Sequence, residues 1–187
     1  FIPIEREDLP KKRISEIERG GLDLNNNISF KRQSQINKEK RINNPQKNSV
    51  LKKEYIYPVK AKENITSRYG MRNDPFNNEK SFHNGVDFAV NTGTTIRTIN
   101  DGVVLKSTWI KGFGRTITID HDNSIVSLYA HNNRLLVKAG ERVKQGDVIA
   151  LSGATGRSTG PHLHFGVYKD NKPINPLKFI KARWKLW

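Results

Sequence analysis

The chemistry available to this chain rests on five histidines, His83, His121, His131, His162 and His164, in a sequence with no cysteine. Without a thiol there is no disulfide, thiolate ligand or cysteine nucleophile, so a metal would have to sit on imidazole and carboxylate. His162 and His164 flank Leu163 in the run Gly160-Pro161-His162-Leu163-His164-Phe165-Gly166. In a strand, alternation puts both imidazoles on one face and Leu163 and Phe165 on the other, a metal-binding or acid–base arrangement. His83 and Asp87, in His83-Asn84-Gly85-Val86-Asp87, bracket a turn into a strand and can converge on one cation. Their nitrogen and oxygen donors suit Zn²⁺, and three protein ligands with a fourth position open mark a catalytic rather than a structural site. His83, Asp87 and one of His162 and His164 supply that number, and spacing does not choose between the last two. His131, where a strand meets Asn132-Asn133, is placed to act as a base or an oxyanion donor beside such a metal. His121, between Asp120 and Asp122, reads as a solvated turn residue. Taken singly, each pair would look the same in a chain of solvated histidines.

Such groups need rigid elements to hold them. From Tyr57 onward the sequence is short runs of Val, Ile, Thr, Phe and Tyr broken by Gly, Asn and Asp turns. This pattern predicts strands at 57–60, 86–89, 95–98, 102–109, 115–121, 125–131, 142–144, 148–152 and 163–169. The fold class is therefore all-β, a mainly antiparallel sheet or sandwich over 58–187. Residues 1–57 read as a basic, polar N-terminal arm. Its stretch 25–49 holds only Ile28, Phe30, Ile36 and Ile42 as large apolar residues, and a short helix is predicted near 13–20, ending at Gly20-Gly21.

The 187 residues carry 33 Lys and Arg against 18 Asp and Glu, a formal charge of +15, with 35% hydrophobic residues. That supports one core plus a segment and excludes a membrane-embedded chain. The charge favours an anionic partner. Nucleic acid is not expected, because Phe30 is the only aromatic in the basic stretch 25–49 and bases need stacking surfaces. The chain begins at Phe1, so an export signal or membrane anchor is expected to lie outside it.

Six motifs in fixed order resemble the M23, or lysostaphin-type (LytM), zinc metallopeptidases. They are Ile65 to Arg72, His83 to Asp87, Asp101 to Val104, Tyr129-Ala130-His131, Ala139 to Gly146, and Gly153 to Phe165. The resemblance spans about 65–176. It implies a small antiparallel β domain with one Zn²⁺ at the base of a groove, held by His83, Asp87 and His164. It also implies His131 and His162 as catalytic, non-ligand histidines. The implied activity is zinc-dependent hydrolysis of peptide bonds in bacterial peptidoglycan, in stem or cross-bridge, by a monomer outside the cytoplasm. Anionic wall polymers would be a second partner, and membrane contact would come only through a missing anchor. The alternative is a non-catalytic wall-binding or hydrolase-activating module on the same fold, as in relatives that have lost ligands. Three positions depart from the family pattern: Asn132 for an apolar residue, Gly166 for an acidic one and Thr95 for proline.

Overall fold

The structure is a computed structural model that describes residues 55–60 and 64–181. The helix predicted near 13–20 and the polar stretch 25–49 lie outside those residues. Thirteen strands and one short helix follow in order. They are β1 (Ile65–Ser67), β2 (Gly70–Asn73), β3 (Lys80–His83), β4 (Val86–Ala89), β5 (Thr95–Arg97), β6 (Gly102–Ile110), β7 (Gly114–Asp120), β8 (Ile125–Asn132), β9 (Arg134–Leu135), β10 (Arg142–Val143), β11 (Val148–Leu151), β12 (His162–Lys169), β13 (Lys172–Ile174) and α1 (Pro176–Lys181). Among the described residues, no helix is long and apolar enough to cross a membrane.

The strands form three antiparallel sheets. The largest runs β1-β4-β12-β8-β7-β6-β10, with β13 also paired to β12. A second runs β5-β11-β9, and β2 and β3 make a separate ribbon. Tight turns set the registers. The β12–β13 connection is Asp170-Asn171, both at positive φ (49° and 63°), as a two-residue type I′ hairpin requires. These residues tolerate that geometry because a short polar side chain can bond its own backbone.

Alternation along β12 does what the sequence predicted. Leu163, Phe165 and Val167 are fully buried in the core, packed with Val86 and Phe88 of β4 and Tyr129 of β8. His162 and His164 face the other way. Strand β12 pairs with β4 on one side and β8 on the other, so the middle of the site stands on the best-supported strands of the sheet.

The structure corrects several local readings. Residues 57–60 are irregular rather than a strand, although Tyr57 packs on the core and Tyr55 and Val59 are part of it. Strands β1, β2, β3, β9 and β13 and helix α1 were not anticipated. They are two to six residues long, too short to display a period. His121 is not a solvated turn residue: it is 6% exposed and packs edge-on against Tyr55. Its Nδ1–H donates to the Asp101 carbonyl at 2.8 Å and its Nε2 lies 2.7 Å from Ser127 Oγ. Ser127 Oγ is in turn 3.0 Å from the Tyr129 hydroxyl, which accepts the Ile99 amide N–H at 3.1 Å. A buried polar chain thus links strand β8 of the main sheet to the loops at its edge.

Candidate metal centre

The register of β4, β12 and β8 assembles the site. Asp87 is the direct cross-strand neighbour of His164, which is opposite Ala130 on its other side. His83 arrives from the end of β3, paired with Gly70 in the ribbon. Because β3 enters the β3–β4 turn where β4 begins, the His83 and Asp87 side chains meet over four residues. Gly85 makes the closure possible. A Cβ there would lie 2.6 Å from His164 Cε1, 2.8 Å from its Nε2 and 2.7 Å from the Phe165 carbonyl oxygen.

Three donor atoms converge. His83 Nε2 and His164 Nδ1 are 3.0 Å apart, His164 Nδ1 and Asp87 Oδ1 2.9 Å, and His83 Nε2 and Asp87 Oδ1 3.2 Å. Zinc bonds of about 2.0–2.1 Å at tetrahedral angles put donors about 3.3 Å apart. The triangle is therefore slightly contracted from the one a zinc ion would hold open. All three side chains are buried. His83 Nδ1–H donates to the Arg68 carbonyl at 2.9 Å, which leaves its Nε2 lone pair aimed at the triangle. The far nitrogen of His164, Nε2, is buried and has no hydrogen-bond partner among the described residues. It carries the proton when Nδ1 offers its lone pair. Two imidazole lone pairs and a carboxylate oxygen at about 3 Å repel one another unless a shared proton or a cation lies between them, and with that proton displaced the donor set fits one Zn²⁺.

The charges agree. Burial pushes the Asp87 carboxyl up, but the hydrogen bonds and charges of His164 and His83 outweigh it and hold the group well below the usual carboxylate range. Its second oxygen is 3.8 Å from Arg72 Nη2. Burial pushes His164 down, favouring the neutral ring a metal needs.

His131 and His162 stand beside the triangle, with ring centroids 4.6 Å apart and His131 5.9 Å from His164. Both are held by one nitrogen. His131 Nδ1–H donates to the Thr155 carbonyl at 2.7 Å, and His162 Nδ1–H donates to the Gly160 carbonyl at 2.8 Å. Each keeps Nε2 unengaged by these anchors, and His162 Nε2 comes within 3.9 Å of Asp87 Oδ1. Burial, with the nearby His164 and His162, lowers the His131 pKa to about 4, so it is neutral at neutral pH. His131 also occupies positive φ (61°), a conformation that costs about 1 kcal/mol or more for a residue with a Cβ. It is held there by the Phe113 carbonyl on its amide and by Asn132, whose Nδ2 donates to the Arg115 and Tyr129 carbonyls at 2.9 and 2.8 Å. The family-atypical Asn132 therefore has a role, bracing the backbone next to His131.

All five histidine and aspartate positions singled out in the sequence come together in one groove of about 460 Å³. Sequence reasoning gave no role to Arg72, to the Thr155 and Gly160 carbonyls, or to the rim pair Asp74 and Arg157. Backbone carbonyls carry no side-chain signal, and Asp74 and Arg157 are 83 positions apart.

Residues 81–176, more than half the chain, match the model of peptidase family M23. The chain belongs to that family. It is 40% identical over 123 residues to the peptidoglycan DD-endopeptidase ShyA of Vibrio cholerae, covering 65% of this chain and 29% of ShyA. A solved zinc-containing peptidase from Vibrio cholerae superposes with a TM-score of 0.61 at 38% identity, over 66% of this chain and 39% of that one. The catalytic domain of lysostaphin from Staphylococcus simulans superposes with a TM-score of 0.57 at 33% identity, over 63% of this chain and 91% of that domain. The chain spans about a third of the length of the curated relatives it matches. As an M23 member it has the mainly antiparallel β fold expected from its sequence, and His83, Asp87 and His164 form a cluster that fits one Zn²⁺.

Proposed function

We propose that this chain is a zinc-dependent endopeptidase that hydrolyses peptide bonds of bacterial peptidoglycan outside the cytoplasm. The observation that carries this reading is the triangle of His83 Nε2, Asp87 Oδ1 and His164 Nδ1 opening onto a groove beside two further imidazoles. The name of ShyA supports the substrate class, as does the basic charge, which suits stem-peptide carboxylates and anionic wall polymers. Bound in the triangle, zinc supplies a Lewis acid for the scissile carbonyl and makes a neighbouring water more acidic.

The chain's own residues do the rest. His83 and His164 would offer Nε2 and Nδ1 as ligands, and Asp87 would contribute the negative charge that offsets half of the cation's. His131 and His162, each anchored through Nδ1–H, direct Nε2 to the reacting atoms. One takes the proton of the attacking water and returns that proton to the leaving amine as the C–N bond breaks, while the other, its Nε2 carrying a proton taken up from solvent, hydrogen-bonds to the oxyanion and keeps that proton. The low pKa of His131 makes it a neutral acceptor at pH 7 and, when protonated, a strong donor.

The test is to incubate the zinc-loaded chain with purified peptidoglycan and follow the release of new amino groups, with mass spectrometry of the muropeptides. Release that stops with a chelator and returns with zinc supports the reading. Stoichiometric zinc and wall binding with no release would replace it with a non-catalytic wall-binding module.

A further inference from the structure

The β2–β3 ribbon pairs with neither of the larger sheets, yet it carries the metal ligand His83 and the groove residue Arg72. Its base is fixed by Tyr69, whose hydroxyl donates to the Pro173 carbonyl at 2.8 Å and whose ring meets Phe82 edge-on. Its tip is a tight polar turn: the Asp74 amide donates to the Glu79 carbonyl at 2.7 Å, and the Phe76 amide donates to Asp74 Oδ1 at 2.9 Å. What fastens the tip comes from the opposite wall of the groove. Arg157, in the β11–β12 loop, donates from Nη1 to Asp74 Oδ2 at 2.9 Å and from Nη2 to Asp74 Oδ1 at 2.7 Å. The same guanidinium lies 4.0 Å over the Phe76 ring.

An exposed ion pair usually contributes little. This one is a bidentate fork stacked on an aromatic face; the Arg157 side chain is half exposed and the Asp74 side chain 14% exposed, so it is the two-bonded fork rather than burial that fixes its position. The loop it fastens is not incidental. The Arg157 amide donates to the Gly112 carbonyl at 2.8 Å, tying the loop to the β6–β7 turn. Two residues before Arg157, Thr155 supplies the carbonyl that anchors His131. Three residues after it, Gly160 supplies the one that anchors His162.

We infer that Arg157 and Asp74 form a clasp across the groove that positions His131 and His162, by fastening the free ribbon tip to the loop whose carbonyls hold both imidazoles. Both are positioning residues, since neither touches the three ligand atoms. The inference rests on the proposed peptidase reading only where turnover is the measurement.

The experiment uses the zinc-loaded full chain and the variants Asp74→Asn, Arg157→Gln, their combination and Arg157→Lys. Asp74→Asn keeps the oxygen that accepts the Phe76 amide and Arg157 Nη2, but removes the charge and turns an NH₂ donor toward Arg157 Nη1, so it breaks the bidentate fork without undoing the turn. Expected are zinc stoichiometry equal to wild type, kcat on peptidoglycan fragments lowered by about tenfold to a hundredfold, as for a displacement of about 1 Å, and KM changed much less. The double variant should be no worse than either single one, as for a pair acting together. Arg157→Lys should not restore kcat, because an ammonium cannot replace the fork. Amide hydrogen exchange over 154–161 should quicken in every variant. Additive losses, or unchanged exchange over 154–161, would overturn the clasp. So would opposite effects, with Asp74→Asn tightening KM and Arg157→Gln weakening it, which would make Arg157 a site for a substrate carboxylate. If wild type cleaves no peptidoglycan, the functional reading fails while the exchange rates still decide the clasp.

Discussion

Gly85→Ala should damage the metal site although residue 85 donates nothing to it. The Cβ would sit 2.6 Å from His164 Cε1, 2.8 Å from Nε2 and 2.7 Å from the Phe165 carbonyl oxygen. Ordinary contacts lie near 3.5–4.0 Å, so the overlap is about 1 Å. Strand β12 cannot retreat to absorb it, because it is hydrogen-bonded to β4 on one edge and β8 on the other. The imidazole is what can turn, and a shift of that size is about half the length of a zinc–nitrogen bond of about 2.0–2.1 Å. Overpacking of this kind costs roughly 1–3 kcal/mol. If that strain is relieved through the ligand, zinc binding weakens by about tenfold to a hundredfold, at 1.4 kcal/mol per decade. A competition titration against a chromophoric chelator reads the affinity, and thermal unfolding with and without zinc reads where the strain resides. Gly160→Ala is the control: its Cβ would meet nothing within 4 Å, and zinc affinity should not change. A Gly85→Ala protein that holds zinc as tightly as wild type would refute the argument that glycine is there to make room for His164.

Replacing His83, Asp87 or His164 by Ala should release the metal, whereas His131→Ala and His162→Ala should keep stoichiometric zinc and lose about a hundredfold or more in turnover; equal metal loss in all five would refute the division. Burial pushes the His121 pKa down to about 4. Between about pH 6.5 and 4 the unfolded chain therefore binds the proton and the folded chain does not, so stability falls as pH falls through that window, by up to roughly 3 kcal/mol. Urea unfolding across that range should show the slope, and His121→Gln, which keeps a donor and an acceptor, should flatten it; in metal-free protein His131 adds a step of the same sign. Asn132→Ala leaves the Arg115 and Tyr129 carbonyls without their donor at a buried position, for a loss of about 1–3 kcal/mol in unfolding free energy and a fall in kcat as His131 leaves its positive-φ conformation; full activity would show that Asn132 does not brace His131.

How much of the site could be read from the sequence depends on which kind of element holds each group. His162 and His164 stand on a strand whose alternation is visible in the letters, with Leu163 and Phe165 between and beside them, so their shared face was legible. Choosing His164 as the ligand was not, because it depends on register: pairing sets His164 opposite Asp87 and His162 opposite Ala89. Here the resemblance to the M23 family supplied what periodicity lacks. His121 was misread because its flanking aspartates look like a turn, and only the burial of Ser127 and Tyr129 across the sheet shows that it closes a core network. The ribbon and the helix α1 were missed because runs of four to six residues leave no period to detect.

The same contrast has a mechanical side. Asp87 and His164 are fixed by strand pairing deep in the main sheet, and a metal held on them inherits the stiffness of that sheet. His131 and His162 stand at strand ends and are oriented by carbonyls of the loop 153–161, whose only strand-like pairing among the described residues is the single Gly153–His162 bridge at its start. Among the bonds that hold that loop are those from the Arg115 amide to Thr155 Oγ1, from Thr155 Oγ1 to the Asn132 carbonyl and from the Arg157 amide to the Gly112 carbonyl, together with the Arg157–Asp74 fork. Metal affinity and proton transfer are thus governed by different parts of the fold. Loop substitutions should alter turnover while the zinc stays in place, and substitutions under β12, such as Gly85→Ala, should weaken zinc binding and lower turnover only through that loss.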